Sequence, residues 1–200
     1  VDWNSFVKSQ VGAKSYIWTN GTPDSWKTGP TGETNWSYAS EGIIRYYIDP
    51  RNWLAESDIF QFEMLGYQPE FHTVEAVEGI LAGSFMANAR IENNMTYAQA
   101  FVELGRTTDV SPFFLAARVL QEQGYQGSSP LISGKYPGYE GYYNFYNIGA
   151  YGNSGTETIN NGLEYAKEQG WDNPYNAIVG GASFLRDNYI SQGQDTLYLQ

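Results

Sequence analysis

"SPFFLAARVLQEQG", residues 111–124, carries its own start and stop signals. Ser111 is a strong helix N-cap, Pro112 suits the first helical position, strong helix formers follow, and Gly124 is a C-terminal stop. Leu115, Ala116, Val119 and Leu120 define an apolar face, and Leu115, Val119 and Glu122 stand at i, i+4 and i+7. The spacing predicts a buried helix with an inward carboxyl group at its end. Helix dipole and unpaired carbonyls disfavour negative charge there, and partial burial disfavours it again. Both effects favour a neutral carboxyl, the state a general acid needs. The plainer alternative is a glutamate reaching solvent beside an Arg or Lys.

Composition limits what such a carboxyl can serve. Two hundred residues suit one domain with a sizeable core. Eleven Lys plus Arg against 22 Asp plus Glu give a formal charge of -11, which repels nucleic acid and anionic bilayers. No stretch approaches the ~20 apolar residues that span a membrane, so no membrane insertion is expected. The opening "VDWNSFVKSQ" lacks the segments of a signal peptide, and the chain reads as a soluble piece of something longer. With no Cys and one His, thiol chemistry is excluded, neither metal nor cofactor is expected, and His72 is read as a surface or satisfied residue rather than a base. The 17 Tyr, 10 Phe, 6 Trp and 22 Gly suit carbohydrate, whose C–H faces stack and whose hydroxyls hydrogen-bond, or else an aromatic-rich core.

Residues 1–40 hold turn formers without sustained periodicity and are expected to form an extended arm or loop. Residues 41–200 are expected to form one mainly α domain with minimal β content. "EGIIRYYI" reads as a helix broken at Asp49-Pro50; "TVEAVEGILAGSFMA" carries Val77, Leu81 and Phe85 at fourfold spacing. "TYAQAFVELG" has a capping box at Thr96 and Gln99 and is expected to stop at Gly105; a helix from Asn173-Pro174 contains Gly180-Gly181, read as a close helix contact. Trp171 reads as a core plug. "GYEGYYNFYNIGAYGNSG", residues 138–155, is too polar for a core strand and reads as a cleft wall.

The helix ending in Glu122-Gln123-Gly124, then "YYNFYNIGAYG", "GLEYAKEQGW" and "AIVGGASFLRDNYI", resembles the glucosaminidases of glycoside hydrolase family 73, bacterial autolysins that cut peptidoglycan. "YYIDPRNWLAESDIFQFEML" resembles the stretch before the catalytic helix in the Firmicute branch. The likeness runs from about Ile43 to the end, where "DTLYLQ" stops at a point beyond which relatives commonly continue. It implies an α+β lysozyme-like fold of two lobes around a substrate groove, and an extracellular, cell-wall-associated, monomeric hydrolase. The implied reaction cleaves the β-1,4 bond between N-acetylglucosamine and N-acetylmuramic acid, with Glu122 as the general acid.

Glu140 and Glu157 are the candidates for a second carboxylate. If neither acts, the 2-acetamido group of the substrate can attack the anomeric carbon. Tyr143, Tyr146, Asn147 and Tyr151 are the candidates for substrate binding, and replacing Tyr146 or Tyr151 is expected to cut turnover or affinity while sparing the fold. A muramidase or lytic transglycosylase would also place a glutamate at such a helix end, but a transglycosylase typically reads Glu-Ser. A non-catalytic wall-binding module would explain the aromatic loops and would need no inward glutamate.

Overall fold

The computed structural model describes residues 2–32 and 34–200; Val1 and Glu33, both in the expected arm, lie outside the described residues. The chain separates into two compact units, Val1–Gln61 and Phe62–Gln200.

The first unit corrects the expectation of an extended arm. Helix α1, Trp3–Gly12, starts where the Asp2 carboxylate accepts from the Ser5 amide, and it buries Val7. Strands β1 (Tyr16–Trp18), β2 (Lys27–Pro30) and β3 (Trp36–Ala39) form an antiparallel sheet in the order β1-β3-β2. Tyr16 pairs with Tyr38 and Trp18 with Trp36, so cross-strand aromatic rings hold strands too short to show alternation. Helix α2, Glu41–Tyr47, capped by Ser40, buries Ile43 and Ile44, and the chain turns at Asp49-Pro50 as the sequence predicts. It falls within the first compact unit, which closes at Gln61 rather than at the expected residue 40.

The second unit is built on helices α3 (Val74–Leu81), α4 (Tyr97–Thr108), α5 (Pro112–Gln123), α6 (Gly155–Glu168) and α7 (Pro174–Asn188). Among the described residues, seven α-helices stand against one three-stranded sheet, the mainly α fold that the patterns predict. Val77 and Leu81, Phe101 and Leu104, Leu115 and Val119, and Ile178 and Leu185 meet in one core. The capping box of α4 forms as expected, but the helix runs past Gly105 to a left-handed Asp109. A Cβ at Gly105 would sit 2.9 Å from Pro112 Cδ and from the Val110 carbonyl, so this glycine serves close packing rather than termination. Helix α3 likewise ends at Leu81, before Phe85, because the chain turns through Gly83 at φ +75° and the Phe85 amide bonds to the Tyr125 carbonyl. No helix among the described residues is long and apolar enough to cross a membrane.

The start of α5 is anchored by the lone histidine. The Ser111 amide donates to the Leu65 carbonyl at 2.6 Å. Buried His72 accepts the Gln68 amide at Nδ1 (2.9 Å), so its proton lies on Nε2, facing Ser111 Oγ at 3.3 Å. It is a satisfied structural residue. Burial lowers the imidazole pKa from its usual 6.5, and the carboxylates of Glu63 and Glu70 oppose this more weakly. The unfolded chain therefore takes up this proton first as pH falls. Stability is fully present above about 6.5 and declines below it until the folded ring is also charged. Proton NMR of this single imidazole should give a midpoint below 6.5; one at or above 6.5 would contradict the buried neutral ring.

Candidate active site

Helix α5 is buried on most of its circumference, with Leu115, Ala116 and Val119 fully enclosed. Its remaining strip carries Arg118, Gln121 and Glu122, which open onto a pocket of about 780 Å³. The other walls come from Tyr146 to Ala150, the end of α7 and the C-terminal segment. Glu122 is the one acidic side chain among the described residues that line it. Gly124, at φ +68°, ends the helix two residues after it.

The surroundings of Glu122 correct the expectation of a carboxyl in a purely unfavourable field. Arg118, one turn earlier, places Nη2 3.2 Å from Oε1, and Asn147 Nδ2 donates to Oε2 at 2.9 Å. Both partners complement negative charge. The carboxyl is also half-buried, at 22% side-chain exposure, so it neither frays into solvent nor sinks into the core.

Asn147 reaches Glu122 because Asn144 shapes the loop. The fully buried Asn144 donates Nδ2 to the Ile148 and Gly162 carbonyls at 2.8 and 2.9 Å and accepts the Ile148 amide at 3.1 Å. This closes a turn in which Asn147 takes a left-handed φ of 54°, a conformation asparagine tolerates. Asn147, expected to contact substrate, thus also holds the acidic side chain.

Tyr146 lines the same pocket but is 5% exposed, and its ring lies so close to Gly181 that any side chain there would overlap it. Burial pushes the phenol pKa upward, and the hydroxyl is enclosed with no partner among the described residues. Tyr146 therefore belongs to the core as well as to the pocket wall, which corrects the expectation of a loop residue whose replacement spares the fold. The Gly180-Gly181 reading holds: Trp171, 4% exposed, packs against Gly180 as a core plug.

The other candidates lie elsewhere. Tyr143 is half-buried, stacked with Phe145 at 6.5 Å, and its hydroxyl lies against Gly134. Tyr151 is 74% exposed and lines a separate depression with Asn161 and Glu164. Glu140 is an exposed loop residue accepting the Gly138 amide, and Glu157, in the first turn of α6, accepts the Asn153 amide at 2.7 Å. The described lining of the Glu122 pocket contains neither carboxylate. Sequence reasoning missed Arg118, Gln123 and Asn144. The i,i+4 spacing of Arg118 and Glu122 was the available signal for the first. Among the described residues, no three His, Cys, Asp or Glu side chains cluster in a way that would hold a metal ion.

No family model matches the chain. It is similar to Beta-N-acetylglucosaminidase of Bacillus subtilis, 34% identical over 167 residues that cover 82% of this chain and 18% of that protein. It is similar also to Bifunctional autolysin of Staphylococcus epidermidis, 31% identical over 173 residues that cover 82% of this chain and 12% of that protein. Among solved structures, S. aureus glucosaminidase B matches with a TM-score of 0.65 and 26% identity, over 98% of this chain and 70% of that one. The chain spans less than a fifth of the length of these two curated relatives.

Proposed function

Given that the chain belongs to the family of the autolysin glucosaminidases, we propose that it hydrolyses the β-1,4 bond between N-acetylglucosamine and N-acetylmuramic acid, with Glu122 as general acid. The observation that carries this reading is the position of Glu122 at the end of α5, the one acidic side chain on the described wall of its pocket. The protein would act as a monomer on peptidoglycan strands outside the bacterial cell, in wall turnover, daughter-cell separation or autolysis.

The two oxygens of Glu122 are not equivalent. Asn147 at Oε2 and the Arg118 guanidinium at Oε1 both only donate, so the acid form carries its proton on the oxygen whose partner yields, which we assign to Oε1. The Arg118 side chain is 39% exposed, and such a partly solvated i,i+4 pair is worth ~0–1 kcal/mol, little enough for substrate to displace. The proton then passes from Oε1 to the leaving muramyl oxygen as the glucosaminyl C1–O bond breaks.

Because Glu140 and Glu157 are engaged in their own loops, the substrate's 2-acetamido oxygen is the group we assign to attack C1, forming a cyclic oxazolinium ion. Water attacks C1 in the second step, and the Glu122 carboxylate takes its proton as the ring reopens. Glu140→Gln and Glu157→Gln should each keep turnover within about an order of magnitude of the parent, well short of the ~10²-fold or more that general acid catalysis supplies. A loss of ~10²-fold in either would restore it as the second carboxylate.

Purified peptidoglycan, digested, reduced with borohydride and analysed by mass, tests the reading. Reduced N-acetylglucosamine at the new ends is expected. Reduced muramic acid would indicate a muramidase, an anhydro end a transglycosylase, and no release a wall-binding module.

A further inference from the structure

Gln123 is the last residue of α5, 6% exposed, and lies behind the wall of the pocket that its neighbour Glu122 lines, bonded to the wall residue Asn147. Its Nε2 faces three acceptors: Asn147 Oδ1 at 2.7 Å, the Phe145 carbonyl at 2.9 Å and the Asn144 carbonyl at 3.3 Å. Its Oε1 is buried with no partner among the described residues. An amide that leaves its own acceptor unpaired is held by what its donor does, because turning it over would set an oxygen against three oxygens.

The same logic passes to Asn147. Its Nδ2 serves both the Glu122 carboxylate (2.9 Å) and the Glu122 main-chain carbonyl (3.4 Å), so a flipped Asn147 amide would present an acceptor to two acceptors. Within the loop, Asn144 spends its side chain on the Ile148 and Gly162 backbone and so fixes the turn rather than the Asn147 amide. The bond from Gln123 is what selects the orientation.

We propose that Gln123 is a positioning residue for the hydrolysis: by donating to Asn147 Oδ1 it keeps the Asn147 donor on Glu122 Oε2 and so leaves Oε1 to carry the proton that is transferred. The helix end that supplies the acid thereby also supplies the group that orients it, through one intervening amide. This rests on the reading of Glu122 as the acid, although the hydrogen-bond relay itself does not.

The test is a double-mutant cycle on peptidoglycan hydrolysis with Gln123→Met and Asn147→Ala. Met keeps length and volume but donates nothing. Gln123→Met should lower kcat by about tenfold or more with KM little changed, and should have little further effect in the Asn147→Ala background, because residues acting in series are not additive. Full additivity, or an unchanged kcat in a folded Gln123→Met protein, would overturn the proposal. If that variant does not fold, side-chain amide hydrogen exchange in the parent protein decides. Protected Asn147 and Gln123 NH2 groups are expected, and an Asn147 amide exchanging as freely as a solvent-exposed one would overturn the relay. Inactivity of the parent protein would sink the glucosaminidase reading instead, leaving the exchange result to stand for the relay.

Discussion

Glu122→Gln should lower hydrolysis by at least ~10²-fold, the lower range for a general acid, while the helix that carries it stays intact. Glutamine matches glutamate in shape and nearly in helix propensity. Its Oε1 can still accept from Asn147, so the contact at 2.9 Å survives substitution. What it lacks is a proton to give. A charge at a helix C-terminus, taken alone, would leave the variant as stable as the parent or more so, but the structure points the other way. The carboxylate meets Arg118 and Asn147, and losing the half-exposed ion pair should cost up to about 1 kcal/mol. Circular dichroism melts alongside turnover would separate the two effects. A variant that melts several degrees higher would show that the charge was uncompensated after all.

Tyr146→Ala should be the most damaging change to the fold. The ring is 5% exposed, belongs to the core that joins α5 and α7, and lies over Gly181, a position with no side chain to fill the void. Removing a buried aromatic ring costs about 3–5 kcal/mol, and at this chain length each kcal/mol lowers Tm by roughly 2–4 °C. A drop in Tm of roughly 6–20 °C in calorimetry is therefore expected. Tyr151→Ala, at a 74% exposed ring, should barely move it. If Tyr146→Ala instead melts with the parent while losing activity, the tyrosine is a substrate contact and not a core residue.

These two tyrosines illustrate which features were legible in the sequence. Helix α5 was, because N-cap, proline, apolar periodicity and terminal glycine are all local, and so was the carboxyl at its end. Whether Tyr146 or Tyr151 faces inward depends on Gly181, some thirty residues downstream of either, and no local pattern encodes that approach. Gly105 failed for a similar reason. A glycine that admits a neighbouring element looks the same in sequence as one that ends a helix. The sheet of the first unit escaped because its strands are three and four residues long and their aromatic pairs form between distant segments, Tyr16 with Tyr38 and Trp18 with Trp36.

The site divides in the same way. Glu122 and Asn147 could be picked out, one by helical phase and the other within a polar aromatic loop. That they would touch could not, since Asn144 bends the loop through carbonyls of Ile148 and Gly162. The function of Gln123 is less visible still, because it lies in the direction an amide points.

Hydrolysis of one batch of purified peptidoglycan by the parent protein and by folded Glu122→Gln, scored as new reducing N-acetylglucosamine ends per unit time, tests the central claim most directly. The account predicts such ends from the parent and at least ~10²-fold fewer from the variant. Equal rates, or ends of another kind from the parent, would contradict it.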